Sequence, residues 1–292
     1  MTQAHTVIGI DLGGTKIAAA RFNAETLEIL RSDQEPTNAE LTFEYVRGEL
    51  LQCISELRDE HTIAVGIGVP GPVDAVTKRI VQLPNIKGAD GFDLVSYVEE
   101  HTGLKTVIQN DSRCFTLAEA LLGAGRGHSV VAGVIMGTGV GGGIVIDGKL
   151  LEGAHGFAGE FGHMLLVPGS PPYRTDDKRG EVEQFLSGKA MGLRCTQALD
   201  PKEYLSGQAC AFMHPDIYRE VAWFITSLTH AIDPSVVIFG GSAGRALKPH
   251  LAQIESELQR WMLPGVPPPR LTVGELEHGS MRGAALLALR KR

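Results

Sequence analysis

No stretch of the 292-residue sequence approaches the roughly 18 consecutive apolar residues of a membrane span, so a membrane partner is not expected. Met1 to Thr6 is short and polar before an apolar run begins at Val7, and reads as leaving no room for a signal peptide. Cysteine is scarce: Cys53, Cys114, Cys195 and Cys210 show neither paired nor metal-type spacing. They read as reduced thiols, and the chain as cytoplasmic. Positive charge is in deficit, with a formal net charge of −7, and a nucleic-acid partner would need a basic face. Low-complexity segments and long linkers are missing too; the Pro-rich run 263–269 is short enough to be a rigid loop.

What is there is ordinary for a soluble globular protein, 43% hydrophobic and 21% charged. The length favours two lobes over one core. Strands are predicted at 7–10, 17–22 and 27–32, a helix at 39–58 and a strong strand at 62–69 that Pro70-Gly71-Pro72 stops. A helix at 92–101 ends at Gly103, a suitable left-handed cap, and a strand at 106–109 leads to Asn110-Asp111 and a helix at 112–122. The pattern then starts again. Strands are expected at 129–136, 143–147, 236–239 and 270–274, with helices at 188–198, 202–212, 216–232, 246–261 and 280–290. Strands alternating with helices, twice over, predict a two-lobed α/β protein with a cleft between the lobes. The lobes are expected at 1–111, joined by the helix 279–292, and at 112–278.

Two glycine clusters sit between apolar strands. In Asp11-Leu-Gly-Gly-Thr-Lys16, Gly13 and Gly14 let the backbone approach a phosphate, with Thr15 and Lys16 as further donors. Asp11 can hold Mg²⁺, through water. A plain hairpin turn is the alternative. Gly137-Thr138-Gly139 opens a longer cluster reaching Gly143. Gly137, Gly139 and Gly142 fit the dinucleotide fingerprint, but strand rather than helix follows, and a Walker A reading fails at Leu150. A second phosphate-binding hairpin remains. Gly240-Gly-Ser242-Ala-Gly244 matches a nucleophile elbow, and Glu257 or Glu275 with His278 could complete a triad, yet only fifty residues remain to house it and a hydrolase would leave both hairpins idle. A turn at Gly240 and Gly241 seating a nucleotide's base and ribose fits better. Asp111, opening a helix at a strand end, suits a catalytic base, with an N-cap as the plainer role. Glu160-Phe-Gly-His163 lies among glycines, which oppose a helical di-iron site. A carboxylate and an imidazole on such a loop suit a polyhydroxyl ligand, and Glu183 could add a third arm.

Together these segments resemble the ROK family of sugar kinases nearly end to end. They are Asp11–Lys16, Gly68-Val-Pro-Gly-Pro72, Asn110-Asp111, the glycines from Gly137 to Gly143, and Glu160–His163. Glu183 with Ser187-Gly188, Asp233-Pro234 before Gly240-Gly241, and Arg282-Gly-Ala-Ala285 complete the set. The resemblance implies the actin-like ATPase (ribonuclease H-like) fold, with two lobes closing on substrate. It implies Asp111 as catalytic base and Asn110, Glu160, His163, Glu183 and Gly71 as sugar contacts. The two hairpins and Gly240-Gly241 would hold ATP with its Mg²⁺, and a homodimer is implied. Glucose is the first expectation for the hexose; N-acetylglucosamine, another N-acetylhexosamine or fructose is the alternative. The family's sugar-sensing regulators are the rival from another class; they add an N-terminal DNA-binding domain, for which the sequence before Asp11 reads as too short.

One departure stands out. The family usually carries a Cys-x-Cys-Gly-x-x-Gly-Cys segment that binds a structural zinc together with the motif histidine. Residues 164–182 contain no cysteine. His163 alone cannot make a four-ligand zinc site, so no zinc is expected. Hydrogen bonds and packing must then hold that loop.

Overall fold

The structure, a computed structural model, describes residues 4–172, 179–198 and 200–290. Its first half contains β1 (Thr6–Leu12), β2 (Lys16–Asn23), β3 (Ile29–Pro36), α1 (Phe43–Leu57), β4 (Thr62–Val69), α2 (Leu94–Thr102), β5 (Lys105–Asn110) and α3 (Asp111–Leu122). There follow β6 (Val130–Met136), β7 (Val140–Ile146), β8 (Lys149–Leu150), α4 (Glu183–Leu186), α5 (Gly188–Arg194), α6 (Pro201–Ser206) and α7 (His214–Ile232). The chain closes with β9 (Val236–Gly240), α8 (Gly241–Ala246), α9 (Leu251–Leu258), β10 (Arg270–Val273) and α10 (Gly279–Arg290).

These elements form two units. The first is Met1–Ala118, Glu152–Ala158 and Glu277–Arg292; the second is Glu119–Leu151 and Gly159–Leu276. A division expected at 111/112 therefore falls inside the first unit, and Glu152–Ala158 belongs there as well. Each unit carries a five-stranded sheet, ordered β3-β2-β1-β4-β5 in one and β10-β9-β6-β7-β8 in the other. Read from the other edge, the second order repeats the first. In both, an antiparallel hairpin supplies the middle of the sheet and two parallel strands extend it. The two glycine clusters are the hairpin turns β1–β2 and β6–β7, so they occupy equivalent places in the repeat.

In the first unit β1 and β4 are almost wholly buried, which explains their continuous apolar runs, while the edge strand β3 is largely exposed and charged. Thr42 caps α1, which presses Val46, Leu50, Ile54 and Leu57 into the core. α10 lies on the other face at close range. A Cβ on Gly9 would fall 2.2 Å from the Met281 carbonyl oxygen, and one on Gly66 1.9 Å from that of Ala284. Glycines within the strands are what lets the helix backbone meet the sheet. In the second unit α7 buries Ile217, Val221, Phe224, Ile225 and Leu228 and ends on Asp233 at φ 47°. The Glu220 carboxylate of α7 makes a two-pronged ion pair with Arg194 at 2.7 and 3.0 Å. Arg194 also donates to the Phe185 carbonyl at 3.1 Å, so α4 and α5 are tied to α7.

Several expectations are corrected. α1 begins at Phe43, because Thr42 is its cap. The helix expected at 246–261 is broken into α8, a 3₁₀ turn over Lys248–His250 and α9, since Pro249 cannot continue the ladder. The helix expected at 202–212 stops at Ser206. The reading of four reduced thiols fails for one pair: Cys195, at the end of α5, and Cys210 form a disulfide, their Cα atoms 5.9 Å apart. Tertiary folding brings them together across a 15-residue separation that carries no motif. Cys53 and Cys114 are buried free thiols. Burial pushes the Cys53 thiol up to about 11, and burial with the charge of Asp111 pushes Cys114 up too. Among the described residues no helix is long and apolar enough to cross a membrane.

Candidate active site

In the first unit the carboxyl ends of β1, β4 and β5 lie side by side, Asp11 against Gly68 and Gly68 against Gln109. In open α/β sheets this is the end where ligands bind. Asp11 and Asp111 sit on either side of Gly68, where a Cβ would meet the Ile10 carbonyl oxygen at 3.4 Å and the Asp111 Cα at 3.5 Å. Asp11 is half-buried, and its carboxyl is raised to about 7, by burial first and by the neighbouring Asp111 charge second, against a smaller pull from Lys16. Such an oxygen would be relieved by a cation.

Asn110 and Asp111 divide the roles that the sequence left open. Asn110 Oδ1 accepts from the backbone N–H groups of Ser112 at 3.0 Å and Arg113 at 3.2 Å, so Asn110 caps α3. Its Nδ2 donates to the Gly71 carbonyl at 3.3 Å, which brings Gly71 to the same corner. A side chain on Gly71 would collide with the Gln82 carbonyl at 2.1 Å. Asp111 is left to project from the helix start, with Oδ1 accepting from the Ser112 N–H at 2.6 Å. The β1–β2 turn is closed by Gly13 N–H to the Lys16 carbonyl, 2.9 Å, and braced by Thr37, whose hydroxyl donates to the Gly13 carbonyl at 2.7 Å. Gly14 faces Asn85, Thr15 is exposed, and Lys16 Nζ donates to Gln34 at 3.0 Å.

In the second unit the remaining residues gather around the β6–β7 turn. Gly137 N–H donates to the Gly139 carbonyl, closing the turn over Thr138. Strand, not helix, follows, as the rejection of a dinucleotide fingerprint requires. Glu183, at the start of α4, accepts from the Val140 N–H at 2.8 Å through Oε2, and the Gly188 N–H donates to the Gly137 carbonyl at 2.7 Å. Phe161 and Gly162 wedge a 3₁₀ turn beneath β7: a Cβ on Gly142 would strike the Phe161 ring at 2.1 Å, and one on Gly162 the Val140 carbonyl at 2.1 Å. Glu160 and His163 flank this wedge. Gly241 adopts φ 74°, and a Cβ there would fall 2.4 Å from the Met136 carbonyl oxygen, so Gly240-Gly241 adjoins the same turn.

The loop after His163 is closed without cysteine. Leu166 and Val167 donate to the Gly180 carbonyl, Val182 to Met164, and Gln184 Oε1 accepts from Gly180 and Glu181. The carboxylate of Glu181, 8% exposed, pairs with Arg179 at 2.7 Å and with His163 Nδ1 at 3.2 Å. Glu181 was missed in the sequence. Its one signal is position, since Gly180-Glu181 ends the stretch where the family pattern ends Gly-Cys. These donors do not fit a structural zinc, and among the described residues no group of three or more His, Cys, Asp or Glu side chains is arranged for a metal. Residues 173–178 of this segment, including most of Pro171–Asp177, lie outside the described residues.

Two repeated five-stranded α/β units with glycine hairpins at matching places define the actin-like ATPase fold. The ROK family model matches residues 7–291, and the chain belongs to the ROK family. It is 30% identical to the N-acetyl-D-glucosamine kinase of Vibrio parahaemolyticus serotype O3:K6, over 97% of this chain and 99% of the relative. It is 32% identical to the glucokinase of Streptomyces coelicolor, over 88% of each. Among solved structures, a ROK family glucokinase from Streptomyces griseus in complex with glucose and AMPPNP is similar with a TM-score of 0.77 at 29% identity. That similarity covers 98% of this chain and all of the other.

Proposed function

We propose that the protein is an ATP-dependent kinase of a free hexose, with Asp111 as its base. The observation that carries this is the corner of the first unit where Asp111 and Asp11 approach across Gly68, beside the β1–β2 glycine turn. A base and a phosphate-binding turn at one strand-end corner are what phosphoryl transfer to a hydroxyl needs. Asp111 accepts the proton of the sugar hydroxyl as its oxygen bonds to the γ-phosphorus; the bond from that phosphorus to the β,γ-bridging oxygen breaks, and ADP leaves. Asn110 and Gly71 contact the sugar, and Asn110, as the cap of α3, also fixes the direction of Asp111.

Glu160, His163 and Glu183 hold the sugar hydroxyls; Glu183 keeps Oε1 for this task while Oε2 binds Val140. Gly13, Gly14, Thr15 and Lys16, with Gly137, Thr138 and Gly139, hold the phosphates, and Gly240 and Gly241 seat the rest of the nucleotide. Asp11, whose carboxyl is raised by burial and by Asp111, fits a carboxylate that meets the Mg²⁺ accompanying ATP. Mg²⁺ supplies charge neutralisation on the phosphates. A cytoplasmic location supplies ATP, and a homodimer is the assembly that family likeness favours.

Glucose is the first choice of substrate and N-acetylglucosamine the second, both in keeping with the named relatives. The test is ADP release from Mg·ATP across glucose, N-acetylglucosamine, N-acetylmannosamine and fructose. Release that depends on one sugar is expected; no sugar-dependent release at all would overturn the kinase reading.

A further inference from the structure

We infer that Glu181 is a positioning residue for His163, fixing which ring nitrogen faces the sugar; the inference rests on the reading that His163 contacts the sugar. The His163 side chain is 62% exposed, and its Nδ1 lies 3.2 Å from Glu181 Oε2. A carboxylate can only accept, so Nδ1 must carry the proton. The neutral ring then presents Nε2 as a bare acceptor, and a sugar hydroxyl must donate to it. Without Glu181 the proton is shared between both nitrogens and the ring turns freely about its exposed bond. Glu181 is itself held: it is nearly buried, and Arg179 balances its charge from the other side at 2.7 Å. Closing the loop does not need this carboxylate. The paired backbone of Met164–Val167 with Gly180–Val182 and the side chain of Gln184 already do that, and the Glu181 backbone takes part while its carboxylate reaches away to His163. A buried acid aimed at an exposed imidazole is the arrangement by which a partner residue orients a functional histidine.

The test uses the full chain with Glu181→Met, Glu181→Gln and His163→Gln. Long-range ¹H–¹⁵N spectra of histidine-labelled protein, with His163 assigned by its loss in His163→Gln, should show the wild-type proton on Nδ1. Glu181→Met should return this ring to a mixed tautomer. Its KM for the sugar should rise about tenfold while kcat and the KM for ATP stay within about twofold. Glu181→Gln, which keeps an oxygen at the same reach, should recover part of the sugar KM. A wild-type proton on Nε2 would overturn the inference even if Glu181→Met does not fold. So would an unchanged sugar KM in Glu181→Met alongside a raised one in His163→Gln. An unchanged sugar KM in His163→Gln would instead overturn the sugar contact itself, and the inference with it.

Discussion

Replacing Asp11 by Asn should stabilise the free protein at high pH and weaken it as a catalyst. The folded chain keeps the Asp11 proton up to about pH 7, whereas the unfolded chain releases it near the ordinary 3.8. The folded state therefore binds more protons between these values, and stability falls as pH rises through that window. For a fully desolvated group the move would correspond to about 4 kcal/mol. Asp11 is only half-buried, so the cost of its charge is scaled to ~2 kcal/mol. Asn does not titrate and carries no such cost. Denaturant titrations of both proteins at pH 3.5 and pH 8 should show Asp11→Asn gaining ~2 kcal/mol at pH 8 and close to nothing at pH 3.5. Carboxyls other than Asp111, whose titration is linked to that of Asp11, titrate alike in both proteins and cancel. Adding Asp111→Asn should shrink the gain, since the Asp111 charge is the second cause of the raised value. Turnover of Asp11→Asn should fall. An equal effect of Asp11→Asn at both pH values would refute the reasoning.

Glu220→Ala strips the partner from Arg194 in a pair whose side chains are 9% and 7% exposed, and should cost about 3–5 kcal/mol by denaturant titration. A loss under 1 kcal/mol would mean that the pair does not hold α5 to α7. Gly283→Ala places a methyl 1.8 Å from the Cys114 carbonyl oxygen and should destabilise by at least about 3 kcal/mol in calorimetry, or prevent folding; a wild-type Tm would contradict the close seating of α10. Protein purified without reductant should show two titratable thiols after denaturation, not four, and reducing Cys195–Cys210 should cost about 3 kcal/mol for a loop of this length. Four thiols would show that the pair stays reduced where the protein is made.

The hairpins were legible because glycines between two apolar strands leave few alternatives, and the repeat of sheet order follows from the repeated strand pattern. Boundaries failed where packing overrode local signals. Gly141 and Gly142 read as turn, yet they lie within β7, because the bare backbone at Gly142 admits the Phe161 ring. α4 escaped notice because four residues show no periodicity. The proximity of Asp11 and Asp111 across Gly68 could not be read from positions 100 residues apart, since it depends on three strands ending in register. The same holds for Cys195 and Cys210, and for Glu181, an acid in a loop without a periodic pattern.

The most direct test of the central claim is Asp111→Asn, with sugar binding measured by calorimetry and turnover by ADP release on whichever hexose supports it. As the base, Asp111 should contribute about 10²–10⁴-fold to kcat, and its loss should leave sugar affinity within a few-fold of wild type. Turnover retained within tenfold would contradict the account.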